Sequence, residues 1–144
     1  MTRLRILHYP DPRLRTKATP VESFDVPLGV FAKNLLETMY AAPGIGLAAT
    51  QVNVHKRVIV VDVSEEKNQP HTLINPTLKT YGNRIKGEEG CLSVPEVYDV
   101  VERFEHVDVT AQDIQGNTIE FTAQGMLAIC IKHECDHLDG KLFV

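Results

Sequence analysis

The sequence has no apolar run approaching the roughly 18 residues that a membrane-spanning helix needs. Its start, Met1 to Pro10, has neither an apolar signal core nor a small-residue cleavage site, so a cytoplasmic location is expected. A basic excess is also missing. Fifteen Lys and Arg stand against 19 Asp and Glu, a net charge of −4, so no global positive field recruits nucleic acid or anionic lipid. Cysteine is scarce and odd in number, at Cys91, Cys130 and Cys135, which argues against a disulfide framework and leaves reduced thiols, metal ligation or core filling. No internal repeat or linker interrupts the chain. What is present is 144 residues, 43% hydrophobic and 24% charged with nine Gly and eight Pro. That is the composition of a single domain over residues 1–144, able to bury a core without staples.

The pattern along the chain predicts an α+β domain. Pro10, Pro12 and Pro20, with charged residues between them, read as an extended, turn-rich arm. Asp25 is placed to cap a helix over about residues 26 to 41, in which Leu28, Phe31, Ala32, Leu35, Leu36 and Met39 recur at helical spacing before Pro43 and Gly44 stop it. Arg57 to Val63 is a continuous β-branched run of the kind that forms a strand buried on both faces. Leu73 to Pro76 reads as a strand ending at the proline, with a turn near Tyr81-Gly82-Asn83 and another strand over Arg84 to Glu89. Alternation in Val107 to Ala111 and again in Thr118 to Ala123, around Asp113 to Asn117, predicts a hairpin. A last helix is expected from about Gln124 to Leu138, stopped by Gly140. The expected architecture is short antiparallel strands packed around this C-terminal, metal-binding helix, with one further N-terminal helix.

The chemistry concentrates in His133-Glu134-Cys135-Asp136-His137. Positions i and i+4 share a helix face, so both imidazoles reach one ion, while Glu134, rotated by about 100°, approaches a water on that ion. The bland alternative is two histidines on a helix face satisfied by hydrogen bonds or solvent. A catalytic tetrahedral site takes three protein ligands and keeps the fourth position open. Downstream of His137 only Asp139 is a candidate, so the third ligand is sought upstream. Cys91, in Glu88-Glu89-Gly90-Cys91-Leu92-Ser93, fits because Gly90 permits close backbone approach and a thiolate suits a soft or borderline ion. His8, His55, His71 and His106 compete from ordinary strand or loop contexts, and Cys130 and Cys135 read as helix packing.

Gly44-Ile45-Gly46-Leu47-Ala48-Ala49-Thr50-Gln51, then Glu89-Gly90-Cys91-Leu92-Ser93, then His133-Glu134-Cys135-Asp136-His137 resemble, in order and interval, the three motifs of bacterial peptide deformylase. The resemblance spans the whole chain. It implies hydrolysis of the N-formyl group from formyl-methionyl nascent peptides, releasing formate. It implies Cys91, His133 and His137 as ligands of ferrous iron, for which zinc, nickel or cobalt substitutes, and Glu134 as the proton carrier. The Gln51 amide and the Leu92 backbone N–H become oxyanion donors, and the Gly46 main chain pairs with substrate like an added strand. Ile45, Leu127, Ile129 and Cys130 fall near the methionine pocket, with plain core as the competing reading for Leu127 and Ile129.

Three departures from the family pattern stand out. Lys132 replaces the usual Gln but helix geometry turns it away; Val97-Tyr98 follows Glu96 where relatives often place an arginine against the substrate backbone; and the chain stops at Val144, which puts ribosome docking through a C-terminal helix in doubt. A monomer is the family default. A metallopeptidase of ordinary peptide bonds explains His133 to His137 alone but not the cysteine and glutamine motifs. A metal-bearing binding module without turnover is expected to lack Glu134 or Gln51, and both are present.

Overall fold

The computed structural model describes residues 4, 6–7, 11–42, 44–66, 68–91 and 94–140, with the backbone alone for 15, 80–91 and 94–105. Among these residues two α-helices accompany one antiparallel sheet. Helix α1 is Val26–Ala41, strand β1 Gly46–Ala48, β2 Val58–Val61, β3 His71–Cys91, β4 Val94–Gln112 and β5 Thr118–Gln124, and helix α2 is Gly125–Leu138. The strands lie in the sheet in chain order, β1-β2-β3-β4-β5.

Both predicted helices form, α1 for the anticipated local reason. The Asp25 carboxylate accepts from the Leu28 N–H at 3.1 Å, satisfying one of the donors that a helix start leaves open, and a proline sits in the first turn. Helix α2 follows β5 without a loop. Gly125 makes that corner at φ 59°, and Gly140, at φ 77°, ends the last turn.

Strand β2 explains the run of β-branched residues. Ile59 and Val61 pack with Leu73, Val107, Val109, Ala128, Ile131 and Leu138 on the α2 side, whereas Val58 and Val60 pack with Leu35, Met39, Leu47 and Ile74 on the α1 side. A period of two with both faces covered leaves no polar position. Burial of one such fully enclosed side chain as Leu35 is worth about 1.5–3 kcal/mol. The same alternation runs through β1, where Leu47 belongs to the α1 side and Ala48 to the α2 side.

The expectation of short strands is corrected at β3 and β4, which span 21 and 19 residues. β3 passes through Pro76 instead of stopping there, because a register shift between Ile74 and Thr77 removes the proline from the ladder. Asn75 stabilises that irregularity at φ 51°, a conformation Asn tolerates better than most residues. Its side chain accepts from Val21 N–H at 2.7 Å and donates to Val21 O at 2.9 Å and to Gln112 Oε1 at 2.8 Å. The turn expected at Tyr81-Gly82-Asn83 is likewise a register shift, between Tyr81 and Arg84, with pairing resumed on both sides. Among its described residues the N-terminal arm carries a 3-10 turn, Pro12–Arg15, and a parallel bridge from Thr19 to Lys56.

Candidate active site

Helix α2 turns an unusually polar face inward. His133, Glu134 and His137 are 8%, 5% and 1% exposed, amid Ala128, Cys130, Ile131, Cys135 and Leu138. The two Nε2 atoms of His133 and His137 lie 3.1 Å apart, with the rings edge to face at 75°. One ligand atom from each of His133, Glu134 and His137 falls within 4.8 Å of the others. Burial, reinforced by the neighbouring His133, pushes the His137 pKa down to about 3. Both effects disfavour the cation and leave the neutral ring that a metal requires.

The donor set suits a metal ion. Two nitrogens bound at about 2.0–2.1 Å with tetrahedral angles stand about 3.3 Å apart, close to the spacing observed. Cys91 ends β3 and pairs with Val94, its side chain lying outside the described atoms, and Leu92 lies outside the described residues.

Strand β1 runs beside Glu134. A Cβ added to Gly46 would lie 2.5 Å from Glu134 Oε2, 2.7 Å from Cys130 Sγ and 3.0 Å from Glu134 Cγ, so glycine is needed for the backbone to approach the carboxylate. Among the described residues β1 pairs with β2 on one side and with no strand on the other, an open edge next to the polar cluster. Ile45, just before it, is 47% exposed, and its carbonyl accepts from Asp62 N–H at 2.9 Å and from Cys130 Sγ at 3.5 Å. Cys130 is thus buried against the β1 entry, whereas Leu127 packs partly buried against the α2-side core, where both its pocket and core readings stand.

Gln51 belongs to the 3-10 turn Ala49–Val52 that follows β1. It is buried, its side-chain Oε1 accepts from Ala48 N–H at 2.9 Å and its backbone carbonyl accepts from Leu7 N–H at 2.7 Å. An N–H donor at that oxygen fixes which end of the amide is acceptor, and so directs the NH2 end elsewhere as a donor.

The other sequence candidates separate cleanly. Cys135 is buried and its thiol is pushed up to about 12, chiefly by that burial, consistent with core filling. Lys132 Nζ bonds Asp136 Oδ1 at 2.9 Å along the helix, turned away as expected. Asp139 caps the end of α2 and pairs with Arg57 at 3.0 Å. His55 contacts the Arg13 carbonyl and His71 stacks on Phe121, while His8 lies outside the described residues. Two contributors escaped the sequence reading. Thr50 Oγ1 donates to the His137 carbonyl at 3.1 Å. Buried Asp62 accepts from Tyr40 OH at 2.5 Å, Ser64 N–H at 2.9 Å and Gln69 N–H at 3.2 Å. Burial raises the Asp62 pKa, but bonds from Ser64, Tyr40 and Gln69 outweigh it and the net shift is downward. An acid directly after a buried strand and followed by Ser two positions on was the available signal.

Comparison with known proteins decides the family. A model described as polypeptide deformylase matches residues 3–144. The chain belongs to the polypeptide deformylase family. It is a metal-dependent hydrolase that removes the N-formyl group from nascent peptides. The peptide deformylase of Hahella chejuensis is 54% identical over 145 residues, covering 100% of this chain and 86% of that protein. That of Cellvibrio japonicus is 56% identical with the same coverage. The crystal structure of the Thermotoga maritima peptide deformylase superposes with a TM-score of 0.94 at 38% identity, covering 99% of this chain and 95% of that one. Deformylase membership bears out the resemblance drawn from the three motifs, and the two helices with an antiparallel sheet bear out the α+β class.

Proposed function

We propose that Cys91, His133 and His137 hold a ferrous ion, replaceable by zinc, nickel or cobalt, and that Glu134, Gln51 and Leu92 carry out formyl hydrolysis around it. The observation that carries this reading is the pair of His133 and His137 nitrogens 3.1 Å apart with the Glu134 carboxylate in the same buried cluster. When bound, the ion supplies Lewis acidity, lowering the pKa of a coordinated water and polarising the formyl oxygen.

The residues do the rest. Glu134 takes a proton as a water oxygen bonds to the formyl carbon, and returns it to the departing amine as the C–N bond breaks, so that formate and a free N-terminus leave. Negative charge developing on the formyl oxygen is met by the Gln51 amide and the Leu92 backbone N–H, donors of the kind whose individual loss costs about 10²–10³ in rate. The peptide lies along the open edge of β1 and bonds the Gly46 main chain as an added strand. Ile45, Leu127 and Cys130 border the methionine side chain, whose flexible thioether fits an apolar pocket of modest shape demand. The enzyme works as a cytoplasmic monomer on formyl-methionyl nascent chains and needs no nucleic-acid contact.

Formate release from formyl-Met-Ala-Ser, measured beside an unformylated peptide with internal bonds, tests the reading. Formate from the first and no cleavage of the second is expected. Internal cleavage without formate would replace it with a peptidase.

A further inference from the structure

Thr50 stands one residue before Gln51 in the 3-10 turn Ala49–Val52, where successive side chains point about 120° apart. Gln51 bends back onto Ala48 N–H. Thr50 therefore faces another direction, and its hydroxyl donates to the backbone carbonyl of His137, 87 residues away, at 3.1 Å with both residues fully buried. That carbonyl belongs to the last turn of α2, where helix carbonyls have no partner further along the helix. Gly140 N–H supplies one bond to it at 3.0 Å, and Thr50 supplies a bond from a different part of the chain.

Two further bonds on this helix end come from other segments. Ala18 N–H donates to the Leu138 carbonyl at 2.7 Å, and Arg57 pairs with Asp139 at 3.0 Å. Neither involves the turn that bears Gln51. The Thr50 bond ties that turn to the backbone of His137, so one hydroxyl links the two ends of the site.

We propose that Thr50 is a positioning residue that fixes the Gln51 amide relative to the His137 imidazole through its bond to the His137 carbonyl. The proposal rests on the roles assigned to Gln51 and His137 above. A hydroxyl is specified and bulk is not: valine keeps the shape and loses the donor, whereas serine keeps the donor and loses a methyl.

The test compares wild type, Thr50→Val and Thr50→Ser in two assays, with Thr50→Ala as the donor-free variant if the valine protein does not fold. Formate release from formyl-Met-Ala-Ser gives kcat and KM, and nickel loss from the nickel-loaded protein to a chelator reports the hold on the ion without reference to turnover. Thr50→Val is expected to lower kcat about 10-fold with KM within about twofold, and to lose nickel about 10-fold faster, the scale found when groups supporting metal ligands are removed. Thr50→Ser is expected within about twofold of wild type in both. A Thr50→Val enzyme with unchanged kcat, one with unchanged nickel loss, or a Thr50→Ser enzyme as impaired as the valine variant would overturn the proposal. A wild-type protein that releases no formate would overturn the deformylase reading instead, and the nickel comparison would still decide whether Thr50 holds the His137 backbone.

Discussion

Helix α1 begins on the Asp25 side chain and buries Ala32, Leu35, Thr38 and Met39, whereas α2 begins on Gly125 without a side-chain cap and buries His133, Glu134 and His137. The first follows the ordinary rules of capping and apolar burial. The second breaks them, since enclosed ionisable groups cost free energy unless they are neutral, paired or metal-bound. Its C-terminal end is held from outside, by Ala18 N–H on Leu138, Thr50 on the His137 carbonyl and Arg57 on Asp139. Helix α1 serves packing, whereas α2 adds a buried polar cluster to the core residues Ala128, Ile131 and Leu138 that it also supplies.

That division of labour is open to direct attack. Glu134→Ala is expected to lower kcat by about 10²–10⁴, the usual worth of a positioned acid–base group, while metal content and melting temperature stay at wild-type levels. A variant retaining full turnover would end the role of Glu134. Leu35→Ala should do the reverse, losing about 2–5 kcal/mol of stability to urea through the cavity left in the α1-side core. Its kcat, measured where the protein is fully folded, should stay within about twofold of wild type. Gly46→Ala blurs the division, because its methyl would meet the Glu134 carboxylate and Cys130. It should cost about 1–3 kcal/mol by overpacking and also slow formate release; a normal rate would show that Glu134 can move aside freely. Smallest is Asp25→Ala, about 1 kcal/mol from the lost cap, read from urea midpoints, with no change in kcat.

The parts legible in the sequence are those set by near neighbours. Asp25, the proline after it and the apolar spacing mark α1 at the residues where it forms, Val26–Ala41. His133, Glu134 and His137 are legible because i and i+4 share a helix face whatever the fold. The motif marks Gly46 for its main chain, whereas the groups that demand a small residue there, Glu134 and Cys130, come from the far end of the chain. Local reading failed at Pro76 and at Tyr81-Gly82-Asn83, where pairing between β3 and β4 carries the strand through residues that punctuate most chains. Asn75 makes the first of these possible through bonds to Val21 and Gln112, 54 and 37 residues away, which no window of sequence reveals. Thr50 escaped for the same reason, since its role lies in a bond to His137, 87 residues away.

The central claim is that the buried polar face of α2 is a metal-dependent hydrolytic site and not an expensive core. It is tested most directly by removing the metal anaerobically, restoring iron or nickel stepwise, and measuring bound metal and formate release from formyl-Met-Ala-Ser on the same samples. Turnover is expected to be absent without metal and to rise in proportion to occupancy up to one ion per chain. Turnover that persists in metal-free protein, or that ignores occupancy, would contradict the account.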